Sequence, residues 1–140
     1  MQLELFFNFD GNCSEAAEFY AKVFKTEVKN LMTYGQCPPD PNYPLQECDM
    51  NKVMYADVQI GGVTVMLMDM ASGWPHVAGN NINPTVSMDN KEEVERIFNE
   101  LKEGGEVCLE LQSTFFSELY GMVKDPFGVI WQILYYVRQG

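Results

Sequence analysis

Asn12-Cys13-Ser14-Glu15-Ala16-Ala17-Glu18-Phe19-Tyr20-Ala21-Lys22-Val23 sets apolar side chains at Ala16, Phe19, Tyr20 and Val23, the i, i+3, i+4, i+7 stripe of a half-buried helix. The stripe returns at Val94, Ile97, Phe98 and Leu101, each position 78 residues further on. Both segments open with cap chemistry, Asn12 followed by Glu15 and Asp89 followed by Glu92. There a side-chain oxygen can accept an orphan backbone N–H and the carboxylate can reach back. A duplicated helix implies a duplicated unit.

Strands flank both copies. Leu3, Leu5, Phe7 and Phe9 alternate before the first helix, and Thr85–Met88 is the shorter equivalent before the second. Three extended stretches follow each helix: Val28–Thr33, Val53–Ile60 and Val63–Asp69, then Glu106–Leu111, Leu119–Lys124 and Val129–Tyr136. Gly61-Gly62 and Asp125-Pro126-Phe127-Gly128 suit the tight reversal of the last hairpin in each half. The unit is β-α-β-β-β used twice. This predicts an α+β chain forming a single domain over residues 1–140, with half-modules at about 1–70 and 80–140.

Composition narrows the partners. With 46% hydrophobic and 21% charged residues among 140, the chain can bury a core. Nine Lys and Arg against twenty Asp and Glu leave a net charge of −11, a field that repels nucleic acid and anionic lipid. The longest apolar runs, Gly61–Met68 and Val129–Val137, are strand-sized, and Met1-Gln2-Leu3-Glu4 lacks a basic region followed by an apolar stretch. These features predict a cytoplasmic protein with neither a membrane nor a nucleic-acid partner. Cys13, Cys37, Cys48 and Cys108 match neither a zinc ribbon nor a disulfide framework and read as reduced thiols. Cys13, at a helix start, has a second reading as a reactive thiol with a lowered pKa.

Two loops break the regularity. Tyr34–Asn51 carries Pro38, Pro39, Pro41 and Pro44 and reads as a lid, a dimer contact or a rigid surface excursion. Met70–Asn83 carries Trp74-Pro75-His76, which includes the chain's one histidine.

The words Phe9–Tyr20, Val53–Gly62 and Tyr120–Ile133, in this order, resemble the vicinal-oxygen-chelate superfamily of glyoxalase I, fosfomycin- and bleomycin-resistance proteins and extradiol dioxygenases, and within it the PhnB-like branch. The resemblance implies a cupped mixed eight-stranded sheet with helices on its convex side and the ligand in the cup. In the family's enzymes a divalent metal binds vicinal substrate oxygens there. Its ligands are a histidine near the start of the first strand, a histidine on the strand that opens the second half, and a glutamate on the last strand.

Here the glutamate register falls on Gln132, and neither Leu3–Phe9 nor Asn81–Thr85 holds a histidine. Tyr55 stands where many relatives place a third-strand histidine. His76 reads as a surface side chain, or as a ligand swung in from its loop. No metal site and no cofactor is therefore assigned, and no glycine-rich loop follows a strand to seat S-adenosylmethionine.

Period two then sorts the faces. If Gln132 enters the cup, Ile130 and Leu134 do too, while Trp131 and Ile133 pack under a helix. Aligning Gly62 with Gly128 brings in Thr64, Met66 and Met68, and the neighbouring strand offers Tyr55, Asp57 and Gln59. Met66 and Met68 read either as core or as an adaptable apolar pocket wall. Asp57 reads as a desolvated base or as a solvated edge residue. Phe116 keeps an aromatic wall where relatives often have Phe-Trp.

The candidate ligand-binding residues are thus Tyr55, Asp57, Met66, Met68, Phe116 and Gln132. The expected function is metal-independent binding of a small apolar or aromatic molecule by a homodimer. The alternatives are a divalent-metal lyase, isomerase or transferase of the glyoxalase type, using atypical ligands such as Glu4, Gln132 and His76, and an interaction module without a ligand.

Overall fold

Alternating apolar side chains and paired turn glycines build the first hairpin. Gly61 and Gly62 take φ of 56° and 85°, the left-handed pair that a two-residue reversal between twisted strands requires. The computed structural model describes residues 1–137. In chain order these form β1 (Leu5–Phe9), α1 (Cys13–Val23), β2 (Val28–Thr33), β3 (Val53–Ile60), β4 (Val63–Asp69), β5 (Thr85–Met88), α2 (Lys91–Lys102), β6 (Glu106–Gln112), β7 (Tyr120–Lys124) and β8 (Ile130–Tyr135). The tandem βαβββ architecture is the one expected. The predicted eight strands hydrogen-bond as two four-stranded sheets, in the orders β1-β4-β3-β2 and β5-β8-β7-β6.

Each sheet is mixed. The first strand of each half runs parallel to the last, and the remaining pairs are antiparallel. The chain divides into two compact units, one ending at Val77 and the next beginning at Ala78. Among the described residues no helix is long and apolar enough to cross a membrane.

In the first unit α1 packs on β3 and β4. Ala16, Ala17, Tyr20 and Val23 are buried against the face that carries Ala56, Val58, Val65 and Leu67. Small alanines let the helix approach closely, and Tyr20 fills the remaining space edge-on to Phe7 at 6.1 Å. Asn12 precedes α1 but makes no side-chain cap. Asp69, at the end of β4, does so instead: its Oδ1 accepts from Gly11 N and Cys13 N, both at 2.9 Å, and its Oδ2 from Val53 N. One carboxylate thereby ties a helix start to two strands.

In the second unit Val94, Ile97, Phe98 and Leu101 are buried, as are Val123, Trp131 and Ile133 on the sheet beneath α2. Burying a ring such as Phe98 stabilises by about 2 kcal/mol. Gly121 makes room for it, since a Cβ there would stand 2.8 Å from Phe98 Cε2. The cap of α2 lies one residue beyond the expected Asp89: Asn90 Oδ1 accepts from Glu92 N and Glu93 N. Asp125 holds the β7–β8 turn by accepting from Phe127 N and Val129 N, and also takes the Trp131 indole N–H at 2.8 Å.

Candidate functional site

With α1 on one face of the first sheet, strand alternation turns Tyr55, Asp57, Met66 and Met68 to the other. The register sets Phe6 beside Met66 and Met66 beside Asp57, and one step along the strands Asn8 lies beside Met68. Met66 and Met68 are half-buried, so their thioethers meet the open side of the sheet and not the core under α1. Four of the six expected ligand residues therefore share one face.

Asp57 is not a solvated edge residue. It is only 6% exposed, and its Oδ2 accepts from both the Tyr55 hydroxyl at 3.0 Å and Asn30 Nδ2 at 2.9 Å. Asn30 reaches it from an irregularity in β2, where the pairing register shifts between Lys29 and Met32 and Asn30 takes φ of 58°. Asparagine tolerates that left-handed conformation better than most side chains, and the bulge aims its amide at the neighbouring strand. Burial, followed by the hydrogen bond to Asp57 and the charges of Asp57 and Glu4, pushes the Tyr55 phenol above its ordinary pKa. At neutral pH Tyr55 is a proton donor.

Gln132 and Phe116 belong to the second unit. The Gln132 Oε1 accepts from the Tyr120 hydroxyl at 2.8 Å, and its Nε2 donates to Asn83 Oδ1 at 3.4 Å. Phe116, 54% exposed, packs edge-on against the Tyr120 ring at 5.0 Å. Tyr120 and Asn83 thus fix the amide, and neither was singled out from sequence. For Tyr120 the signal was parity, since it shares the strand face of Met122, which pairs with Gln132; Asn83, ahead of β5, gave none.

A cavity of about 540 Å³ lies in the first unit, between the open face of the sheet and the proline-rich loop. Asn8 and Met68 form its floor, and Met70, Tyr34, Tyr43 and Trp74 are among its walls. Of the six expected residues Met68 alone lines it. Both ends of the loop are anchored. Tyr34 donates its hydroxyl to the Asp69 carbonyl at 2.7 Å, and Gly35 N donates to Met50 O at 2.9 Å. Asp49, 2% exposed, accepts from Lys52 Nζ at 2.9 Å and from Ser72 N and Oγ at 3.0 and 2.8 Å. Lys52 and Ser72 hold its carboxyl at about 2, below the ordinary 3.8.

The metal of the superfamily's enzymes does not fit these residues. Among the described residues no three His, Cys, Asp or Glu side chains are grouped to hold an ion. Gln132 stands in the glutamate register with its carbonyl already engaged by Tyr120, and His76 Nε2 donates to the Asn8 carbonyl at 3.0 Å. Cys13 is fully buried, and desolvation, with the Asp69 charge second, pushes its thiol up to about 12. The reactive reading of Cys13 is corrected by that burial.

The model of one family, described as 3-demethylubiquinone-9 3-methyltransferase, matches residues 2–134. Protein YjdN of Escherichia coli K12 is 29% identical over 140 residues, covering 95% of this chain and 94% of its own. The crystal structure of protein PA1353 from Pseudomonas aeruginosa superimposes with a TM-score of 0.87 at 29% identity, over 96% of this chain and 97% of that one. The PhnB protein from Bacillus cereus shares the fold, with a TM-score of 0.76 at 24% identity over 97% of this chain and all of that one. The chain, with its two βαβββ modules and these matches along nearly its whole length, belongs to this PhnB-like family of the vicinal-oxygen-chelate superfamily.

Proposed function

We propose that the chain is a metal-independent small-molecule binding protein. Tyr55, Asp57, Met66 and Met68 contact the ligand in the first unit, and Phe116 and Gln132 are the contact residues of the second. The observation that carries this reading is Met68, which belongs both to the thioether row beside Tyr55 and Asp57 and to the floor of the 540 Å³ cavity. Its volume is in the range of small-molecule sites, and thioethers adapt to irregular apolar shapes. The Tyr55–Asp57 pair adds an oriented hydroxyl and a buried carboxylate to an otherwise apolar face.

The metal-dependent lyase or isomerase lacks support from the ligand set, because among the described residues no three His, Cys, Asp or Glu side chains are grouped and the glutamate register holds the neutral amide of Gln132. Methyl transfer lacks a seat for its donor: the strand-to-helix crossings Asp10–Asn12 and Asp89–Asn90 carry one glycine between them. The working form we propose is a cytoplasmic homodimer without nucleic-acid or membrane partners, in keeping with the acidic charge.

The test is a thermal-shift screen of apolar and aromatic compounds with and without a chelator, alongside metal analysis of purified, tag-free protein. Compounds should raise Tm equally in both conditions. A stoichiometric metal, or a response abolished by the chelator, would overturn the reading.

A further inference from the structure

The cavity of the first unit has a lining with a definite charge preference. Its residues include one carboxylate, Asp49, and no lysine, arginine or histidine. Asp49 is already met by Lys52 at 2.9 Å, so it is no direct counter-ion for a ligand. The remaining contacts include the rings of Tyr34, Tyr43 and Trp74, the thioethers of Met68 and Met70, side-chain amides such as Asn8, and small or aliphatic side chains. An anionic ligand would find no basic side chain in the lining, the neighbouring Lys52 being held by Asp49, within a chain of net charge −11. A neutral ligand would gain burial and hydrogen bonds to the amides, but nothing from the negative faces of the rings. A substituted ammonium is weakly hydrated and polarises aromatic faces and sulfur, with tryptophan the best of the rings.

We propose that this cavity binds an organic cation, a tertiary or quaternary ammonium carried on an apolar or aromatic body. The inference rests on the small-molecule binding reading and names the ligand class for the part of the site that Met68 shares. Tyr43 and Trp74 are 73% and 66% exposed, which places them where an entering ligand passes from water to the Met68 floor. The acidic field of the whole chain raises the local concentration of cations at that entrance.

Two probes of matched shape test it, (3-hydroxyphenyl)trimethylammonium and 3-tert-butylphenol, titrated calorimetrically into the full chain at low salt. The cation should bind about tenfold more tightly than the phenol. Trp74→Leu should remove most of that preference and Trp74→Phe should restore part of it. Both changes fall on an exposed side chain, and circular dichroism checks the fold.

Equal affinity, or tighter binding of the phenol, would overturn the cation inference and leave the binding reading in place. A preference that survives Trp74→Leu would put the cation elsewhere and also overturn it. If neither probe binds, and the compound screen is silent as well, both readings fall together.

Discussion

Tyr120 donates its hydroxyl to Gln132 Oε1 at 2.8 Å, a diagonal bond across one face of β7 and β8. Its counterpart in the first half is Tyr55: Asp57 lies opposite Met66 as Met122 lies opposite Gln132, and each tyrosine stands two residues earlier. The duplication has kept the tyrosine and changed its acceptor. Tyr55 meets a carboxylate on its own strand, whereas Tyr120 meets an amide on the next. The Gln132 carbonyl is therefore oriented by a proton donor, which fixes the amide, and the amide carries no charge with which to hold a metal.

Gln132→Glu restores the charge found at this position in the superfamily's enzymes without supplying companions for it. Manganese, nickel or zinc should shift Tm of this variant by less than about 1 °C, since one carboxylate does not make a site. A saturable stabilisation at stoichiometric metal would show that further ligands converge on position 132.

Tyr55→Phe removes one of two donors to a buried carboxylate and leaves the ring. The fold should persist, because Asn30 still donates to Asp57 at 2.9 Å. Ligand affinity should fall by about tenfold, the worth of a hydrogen bond that the Tyr55 oxygen accepts from the ligand while its own proton is held by Asp57. Unchanged affinity for a ligand found in the screen would remove Tyr55 from the site.

What the sequence displays well is local. The helical stripes at Ala16 and Val94, the Gly61-Gly62 reversal and the alternation along β3 and β4 each act within a few residues, so pattern reading places them closely. Contacts made over long separations are different. Asp69 caps α1 from 56 residues downstream of Cys13, leaving Asn12, the best local candidate, without that role. Asn30 gives no periodic signal for the bulge that carries it to Asp57. The prolines of Tyr34–Asn51 mark a long loop that reads as a lid, a dimer contact or a rigid excursion, yet which residues face the sheet depends on anchors at Asp49 and Asp69 that only the fold brings near. For that reason the position of Met68 on the open face of the sheet was legible, while the cavity that it lines with Tyr34, Tyr43 and Asn8 was not.

Thiol chemistry gives a direct reading of the α1 start. In native protein at neutral pH, iodoacetamide should modify the exposed Cys48 and Cys108 and spare Cys13, whose thiol is held at about 12 by burial and the Asp69 charge. Cys13 should become reactive only in denaturant. Peptide mapping by mass spectrometry resolves the sites, and early modification of Cys13 would show that the helix start opens in the native state.

Asp49 ties the cavity loop to Lys52 and Ser72, and its protonation should loosen the chain in acid. The folded carboxyl lies at about 2 and the ordinary value is 3.8, so the native state favours the charged form. The stability this contributes is fully present above about pH 4 and is lost as pH falls through 3 toward 2. A shift of this size corresponds to about 2 kcal/mol. Asp49→Asn keeps an acceptor for Ser72 but carries no charge for Lys52. Urea denaturation at pH 7 should find the variant less stable than wild type by about that amount, with the gap closing as pH is lowered through this window. A gap that stays constant to pH 2 would mean that Asp49 stabilises the loop through neutral hydrogen bonds, with its charge contributing nothing.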